Sequence, residues 1–61
     1  LINVEDHGIY LDYYNNYHNI FYNTVQVRDG YALLIYTYSY NHNLKNNIFL
    51  TEATGTPAVY Y

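Results

Sequence analysis

The chain has 61 residues, with two basic and five acidic side chains and a formal net charge of -3. Two cations cannot neutralise a phosphate backbone or an anionic bilayer, so neither nucleic acid nor a membrane surface is expected as a partner. The absence of cysteine excludes disulfides, and three scattered histidines lack zinc-finger spacing, so a core of this small size has no covalent or metal reinforcement.

Short strands are predicted along the whole chain. Residues 1–4 are strand-like, and the next segment alternates with a period of two, which places Ile9 and Leu11 on one face. Apolar segments follow near Ile20 and at residues 25–27. Asn-rich turns separate them, as expected because Asn tolerates the left-handed backbone region.

The same order of segments then repeats. His18-Asn19-Ile20 reappears as His42-Asn43-Leu44, 24 positions later, and Ile9 and Leu11 correspond to Leu33 and Ile35. Three strands and three bends per 24 residues describe one coil of a β-solenoid. We expect coil one at about residues 8–31, coil two at 32–57, and the start of coil three at 58–61, after two extra residues in the loop at 51–57.

Two further features follow from this repeat. Asn23 and Asn47 are in equivalent positions, so their amides are predicted to stack as a hydrogen-bonded ladder between coils. Both ends are strand-like, with no polar tail and no signal segment at the start, so we expect the chain to be an excerpt of one larger domain.

The repeated residues resemble a known family. Gly8-Ile9-Tyr10-Leu11-Asp12 and residues 43–49, Asn-Leu-Lys-Asn-Asn-Ile-Phe, are similar to repeats of the pectate-lyase-like superfamily and look most like β-helical glycoside hydrolases. The resemblance implies an all-β, right-handed parallel β-helix, an extracellular or periplasmic location, and polysaccharide or oligosaccharide and the remaining coils of the parent protein as partners. It implies no cofactor. Tyr13 stands where these repeats often carry a second acid.

Tyrosines are predicted to point outward from the first strand of each coil. Aromatic faces pack against sugar C–H faces, so they form a candidate substrate-binding surface, with a solvated face as the simpler alternative. Its members are Tyr10, Tyr14, Tyr36, Tyr38 and Tyr60.

The charged and imidazole side chains give few further candidates. Asp12 is the candidate catalytic acid, although glycoside hydrolysis normally needs two carboxylates and a turn role is the alternative. His18 and His42 should stack on adjacent coils, but two ligands make a poor metal site, so no metal is expected. His7 has no histidine counterpart in the next unit, and no role is predicted for it.

Three functions remain open from the sequence. A polysaccharide-degrading glycoside hydrolase is the leading expectation for the parent protein. A polysaccharide lyase is less favoured because lyases need cations near the substrate carboxylate, and Arg28 and Lys45 are the only two. A non-catalytic adhesin or fibre segment is the alternative outside the enzymes, since one β-helix fold supports many functions.

Overall fold

The computed structural model describes residues 1–36 and 38–61. These residues are all-β, and they contain no helix long and apolar enough to cross a membrane. In chain order, the strands are β1 (Ile2–Val4), β2 (Ile9–Leu11), β3 (Asn19–Phe21), β4 (Thr24–Val27), β5 (Leu33–Ile35), β6 (Asn43–Lys45), β7 (Ile48–Thr51) and β8 (Val59–Tyr60).

The strands form three parallel sheets. Sheet one has the order β1-β4-β7, sheet two has β2-β5-β8, and sheet three pairs β3 with β6. Each strand therefore pairs with the third strand along the chain, as one turn of a solenoid requires. The all-β, parallel character predicted from the repeat is confirmed, and the architecture is consistent with a β-solenoid fragment.

The register in sheet two follows the sequence repeat. Ile9 lies beside Leu33 and Leu11 beside Ile35, as predicted. The third strand continues the sheet by placing Val59 beside Leu33. The separation grows from 24 residues between Ile9 and Leu33 to 26 between Leu33 and Val59, and the extra length lies in the bend after β7.

The core lies between the sheets at the level of the middle strands. Val25, Val27, Ala32 and Leu33 are fully buried. Inward-facing residues of the outer strands, such as Phe49, stay partly exposed because no further coil covers them. The apolar interior is therefore concentrated in β4, β5 and the bend between them.

Gly8 is required by the close approach of the bend before β2 to this core. A Cβ atom there would lie 2.3 Å from Val25 Cγ1 and 2.8 Å from the carbonyl oxygen of Ala32. Neither distance is tolerable for a real Cβ, so a larger residue would force the bend away from β4.

At the bends, side chains replace carbonyls as acceptors for backbone N–H groups of the adjacent coil. One of these contacts is partly buried, where an unpaired N–H would be costly, and the other three are exposed. We call these four contacts the bend latches. They join Tyr31 N–H to His7 Nδ1 at 3.1 Å, Tyr40 N–H to Asn16 Oδ1 at 2.8 Å, His18 N–H to His42 Nδ1 at 3.1 Å, and Asn23 N–H to Asn47 Oδ1 at 3.0 Å.

The role of His7 is therefore different from the sequence expectation, which assigned it none. Its counterpart one coil later is Tyr31, and the two rings stack with centroids 5.5 Å apart and planes 12° apart. His7 also accepts the Tyr31 N–H. The repeat does not show this pair as an identity, because it matches an imidazole with a phenol.

Candidate functional site

The candidate site lies on the outer face of sheet two. The register aligns Tyr10, Leu34 and Tyr60 across the three strands. Leu34 points away from the core by the period-two alternation with buried Leu33, yet only 7% of it is exposed. An outward leucine is buried here because aromatic rings cover it.

The rings around Leu34 form a shallow concave surface that we call the aromatic dish. Tyr60 lies between two other tyrosines, with ring centroids 5.2 Å from Tyr31 and 6.2 Å from Tyr36. The dish encloses a volume of about 290 Å³ and is lined by Tyr10, Tyr31, Leu34, Tyr36 and Tyr60. Three of the predicted substrate-binding tyrosines, Tyr10, Tyr36 and Tyr60, therefore line one cavity.

His7 supports the dish from one side. Its ring stacks on Tyr31 and meets Tyr10 edge-on, with centroids 5.8 Å apart and planes 89° apart. Because His7 Nδ1 accepts the Tyr31 N–H, the ring orientation is fixed by the backbone as well as by packing. The dish thus belongs to a contiguous aromatic cluster held in place by a bend latch.

Asp12 contributes negative charge at the edge of the dish. Partial desolvation of the phenol raises the pKa of Tyr10, and the nearby Asp12 carboxylate raises this pKa further. Asp12 Oδ1 also accepts the Tyr13 N–H at 2.8 Å, as turn carboxylates often do. Asp12 therefore combines a turn contact with an electrostatic effect on a dish tyrosine, while its predicted catalytic role stays a prediction.

The two remaining predicted tyrosines, Tyr14 and Tyr38, do not line the dish. β2 ends at Leu11, so the alternation that was expected to carry Asp12 and Tyr14 along the same strand does not apply beyond it. The chain then turns through left-handed backbone conformations, with φ of 44° at Tyr13 and 65° at Tyr14. Tyr14 is thereby separated from the strand face, whereas Tyr38 lines a second cavity together with Tyr36 and Tyr60.

Tyr14 and Tyr38 form a stacked pair at the bend. The rings of Tyr14 and Tyr38 lie 5.4 Å apart and 10° from parallel, and both side chains are exposed. Tyr38 also has a positive φ, of 59°. Bulky residues rarely adopt this conformation, so the bend carries aromatic rings at some conformational cost.

Ser39 and His42 are close enough to resemble a nucleophile and its base. Ser39 Oγ lies 2.7 Å from His42 Nε2, and Ser39 is buried. However, His42 Nδ1 accepts the His18 N–H, so the neutral imidazole must carry its proton on Nε2 and donate it to Ser39. Ser39 in turn donates to the carbonyl oxygen of Asn15. The pair is therefore a structural relay between coils.

His18 and His42 stack on each other from adjacent coils, as predicted. The His18 and His42 rings lie 5.4 Å apart and 16° from parallel. Residues 1–36 and 38–61 hold no group of three His, Cys, Asp or Glu side chains that could bind a metal ion. The engagement of His42 Nδ1 by a backbone N–H also leaves that nitrogen unable to act as a ligand.

Asn23 and Asn47 are connected by amide contacts. Asn23 Nδ2 lies 3.3 Å from Asn47 Oδ1, and Asn47 Nδ2 donates to the carbonyl oxygen of Ile20 at 2.6 Å. A second rung, from Asn43 Nδ2 to Asn19 Oδ1 at 3.0 Å, was not predicted. Its signal was present in the sequence, since Asn19 and Asn43 are both part of the repeated His-Asn segment.

Tyr31 is the dish tyrosine that was not predicted from the sequence. Tyr31 precedes β5, and its counterpart one coil earlier is His7. Because His7 and Tyr31 are not identical, the repeat does not mark Tyr31 by identity. The available signal is that both equivalent positions, His7 and Tyr31, carry an aromatic ring.

The two cations of the chain lie elsewhere. Arg28 Nε is 3.0 Å from Glu5 Oε1 in an exposed ion pair. Lys45 lies in β6 of sheet three, beside Phe21. Neither residue lines the dish, whose nearby charge is the carboxylate of Asp12.

Comparison with known proteins gives no relative for this chain. No protein-family model, no curated protein and no solved structure matches it at a significant level.

Proposed function

We propose that this chain is a segment of a secreted, right-handed parallel β-helix of the pectate-lyase-like type, and that its aromatic dish contacts polysaccharide. The parallel sheets and the coil-length register support the fold, and crossovers between parallel strands are right-handed in almost all proteins. The sequence resemblance supports export and carbohydrate as the ligand class. An experimental structure with left-handed crossovers would contradict the fold assignment.

The observation that carries the proposal is the buried outward residue Leu34 beneath a set of tyrosines. A dish with an apolar floor and phenol groups at its margin suits a sugar ring, whose C–H faces are apolar and whose edge carries hydroxyl groups. Tyr10 and Tyr60 flank the floor across the sheet, and Tyr36 extends it along the strand direction.

Within this proposal, the parent protein is a glycoside hydrolase in which Asp12 acts as an acid or base. Hydrolysis needs a second carboxylate about 5 to 10 Å away, which a neighbouring coil of the parent would supply. A lyase is less favoured because Arg28 is paired with Glu5 and Lys45 lies in another sheet. Without a second acid, the same dish would serve a non-catalytic adhesin or fibre.

Binding is tested by titrating the chain with neutral oligosaccharides and following the tyrosine NMR signals. Tyr36→Ala removes one wall of the dish and should weaken binding about fivefold, equivalent to about 1 kcal/mol. Tyr22→Ala is the matched control, because Tyr22 is exposed and does not line the dish. Equal effects of the two substitutions on affinity would contradict the assignment of the dish.

The catalytic part is tested separately in the full-length protein. Asp12→Asn keeps the shape of the side chain but removes its charge, so hydrolysis should fall at least about 100-fold. The melting temperature should change little. If turnover stays within a few-fold, Asp12 is a turn residue and the non-catalytic alternative is favoured.

A further inference from the structure

We propose that the aromatic dish selects amino sugars whose 2-amino group is free and positively charged, over neutral and acidic sugars. The inference rests on the proposed function, since it assumes a carbohydrate ligand, and it adds the substrate class. It follows from the arrangement of the rings and from the sign of the charge around them.

The walls of the dish are aromatic, which favours a cationic ligand. Four tyrosines surround one leucine, and the negative faces of aromatic rings attract ammonium groups. The tilted contacts of Tyr60 with Tyr31 and Tyr36, at 44° and 49°, place the three rings at angles to one another instead of in one flat stack. Rings at such angles can contact a cation from several sides, as aromatic cages do.

The charge around the dish also favours a cationic ligand over an anionic one. Asp12 directly follows Leu11, whose carbonyl oxygen accepts the Tyr36 N–H at 2.8 Å, so the chain brings Asp12 to the side of the dish that Tyr36 forms. Among residues 1–36 and 38–61, no Lys or Arg side chain lines the dish. The formal charge of -3 adds a long-range attraction for cations. A uronic acid would bring its carboxylate to this negative surface with no cation to receive it, whereas an ammonium group would meet both the carboxylate and the rings.

Contacts within the protein hold part of the dish in place without a ligand. Tyr31 is held by its backbone bond to His7 and by stacking on the imidazole, and Tyr10 meets the same ring edge-on. Tyr10 and Tyr60 are also aligned with Leu34 by sheet register. A preorganised cage loses little conformational entropy when it binds, which favours selectivity.

The test compares three oligomers of equal length with the full chain at about pH 6 and low salt. They are glucosamine, N-acetylglucosamine and galacturonate oligomers, with circular dichroism recorded to show that the strands persist. We expect glucosamine oligomers to bind at least tenfold more tightly than the acetylated ones, and galacturonate oligomers to bind weakest. Added salt should reduce the preference.

Two substitutions separate the contributions. Asp12→Asn should weaken binding of glucosamine oligomers more than binding of N-acetylglucosamine oligomers, so the preference between them should fall. Tyr36→Ala should weaken binding of both. A merely structural role of Asp12 would change both affinities equally and leave their ratio unaltered, which would overturn the assigned role of its charge.

Other outcomes discriminate between the two proposals. If the acetylated oligomer binds as well as or better than glucosamine, the amino-sugar inference is wrong and the proposed carbohydrate contact stands. If no oligomer binds, both are wrong. If oligolysine of the same length displaces glucosamine oligomers at equal concentration, the dish selects charge alone, and the assignment to amino sugars is overturned.

Discussion

Replacement of Asn47 by alanine tests the bend latches most directly. The substitution removes the acceptor of the Asn23 N–H at 3.0 Å and the donor to the Ile20 carbonyl at 2.6 Å. Asn23 and Asn47 are both partly buried, so water replaces these partners only incompletely. An unpaired buried N–H costs about 1 to 3 kcal/mol, and a lost hydrogen bond about 0.5 to 1.5 kcal/mol.

The expected loss in free energy of unfolding is therefore about 2 to 3 kcal/mol. For a chain of this size, each 1 kcal/mol lowers the melting temperature by about 4 to 8 °C, so the transition should move by about 10 to 20 °C. Thermal melting followed by circular dichroism measures the global effect. Hydrogen exchange of the Asn23 amide measures the local one and should accelerate strongly.

Asn3→Ala is the matched control, because Asn3 is an exposed strand residue and makes no side-chain hydrogen bond among the contacts described for residues 1–36 and 38–61. It should change the melting temperature by only a few degrees. Asn47→Asp keeps an acceptor for the Asn23 N–H but removes the donor to Ile20, so its effect should be intermediate. If Asn47→Ala is no worse than Asn3→Ala, the side chain is not a latch and the argument fails.

Two other predictions concern the core and the dish. Gly8→Ala should destabilise the fold by about 2 to 3 kcal/mol in urea unfolding, because its Cβ would meet Val25 and Ala32. Gly55 has open space around it but a φ of 78°, so Gly55→Ala should cost only about 1 kcal/mol. Equal costs of the two substitutions would show that the close approach at Gly8 does not limit the side chain. The pKa of Tyr10 is raised, so the folded state favours the neutral phenol. Its contribution to the free energy of unfolding is therefore present below the ordinary tyrosine pKa and is lost as pH rises through the raised pKa. In an alkaline absorbance titration, Asp12→Asn should lower the pH midpoint of Tyr10 ionisation. Tyr10→Phe identifies which transition belongs to Tyr10. An unchanged midpoint would show that Asp12 does not act on the phenol.

Much of the fold follows from the sequence because the repeat carries the register. The match of Ile9 to Leu33 fixes which strands pair, and a register set by period-two alternation cannot slip by one residue without turning apolar side chains outward. The matching His-Asn segments likewise indicate the histidine stack. These features depend on equal spacing, which is visible in a linear sequence.

The site was predicted less well because its parts do not repeat. Tyr31 was missed since its counterpart is His7, and Tyr14 was grouped with Tyr10 although the strand ends between them. The end of the strand depends on left-handed conformations at Tyr13 and Tyr14, which tyrosine rarely adopts and which no propensity indicates. The alternation with Leu33 indicates that Leu34 points outward, but its burial depends on rings from different strands and bends.

The bend latches also determine where this chain tolerates changes in length. A latch joins residues a fixed distance apart, so duplication or deletion of a whole coil preserves every latch, whereas a shift of one residue within a latched bend breaks it. The two-residue expansion before β8 lies in a bend that closes on itself, through Ala53 N–H to Thr51 Oγ1 at 3.2 Å and Thr56 N–H to the Ala53 carbonyl. Insertions during evolution should therefore accumulate at this bend, and duplication of entire coils is the natural route by which such a chain lengthens.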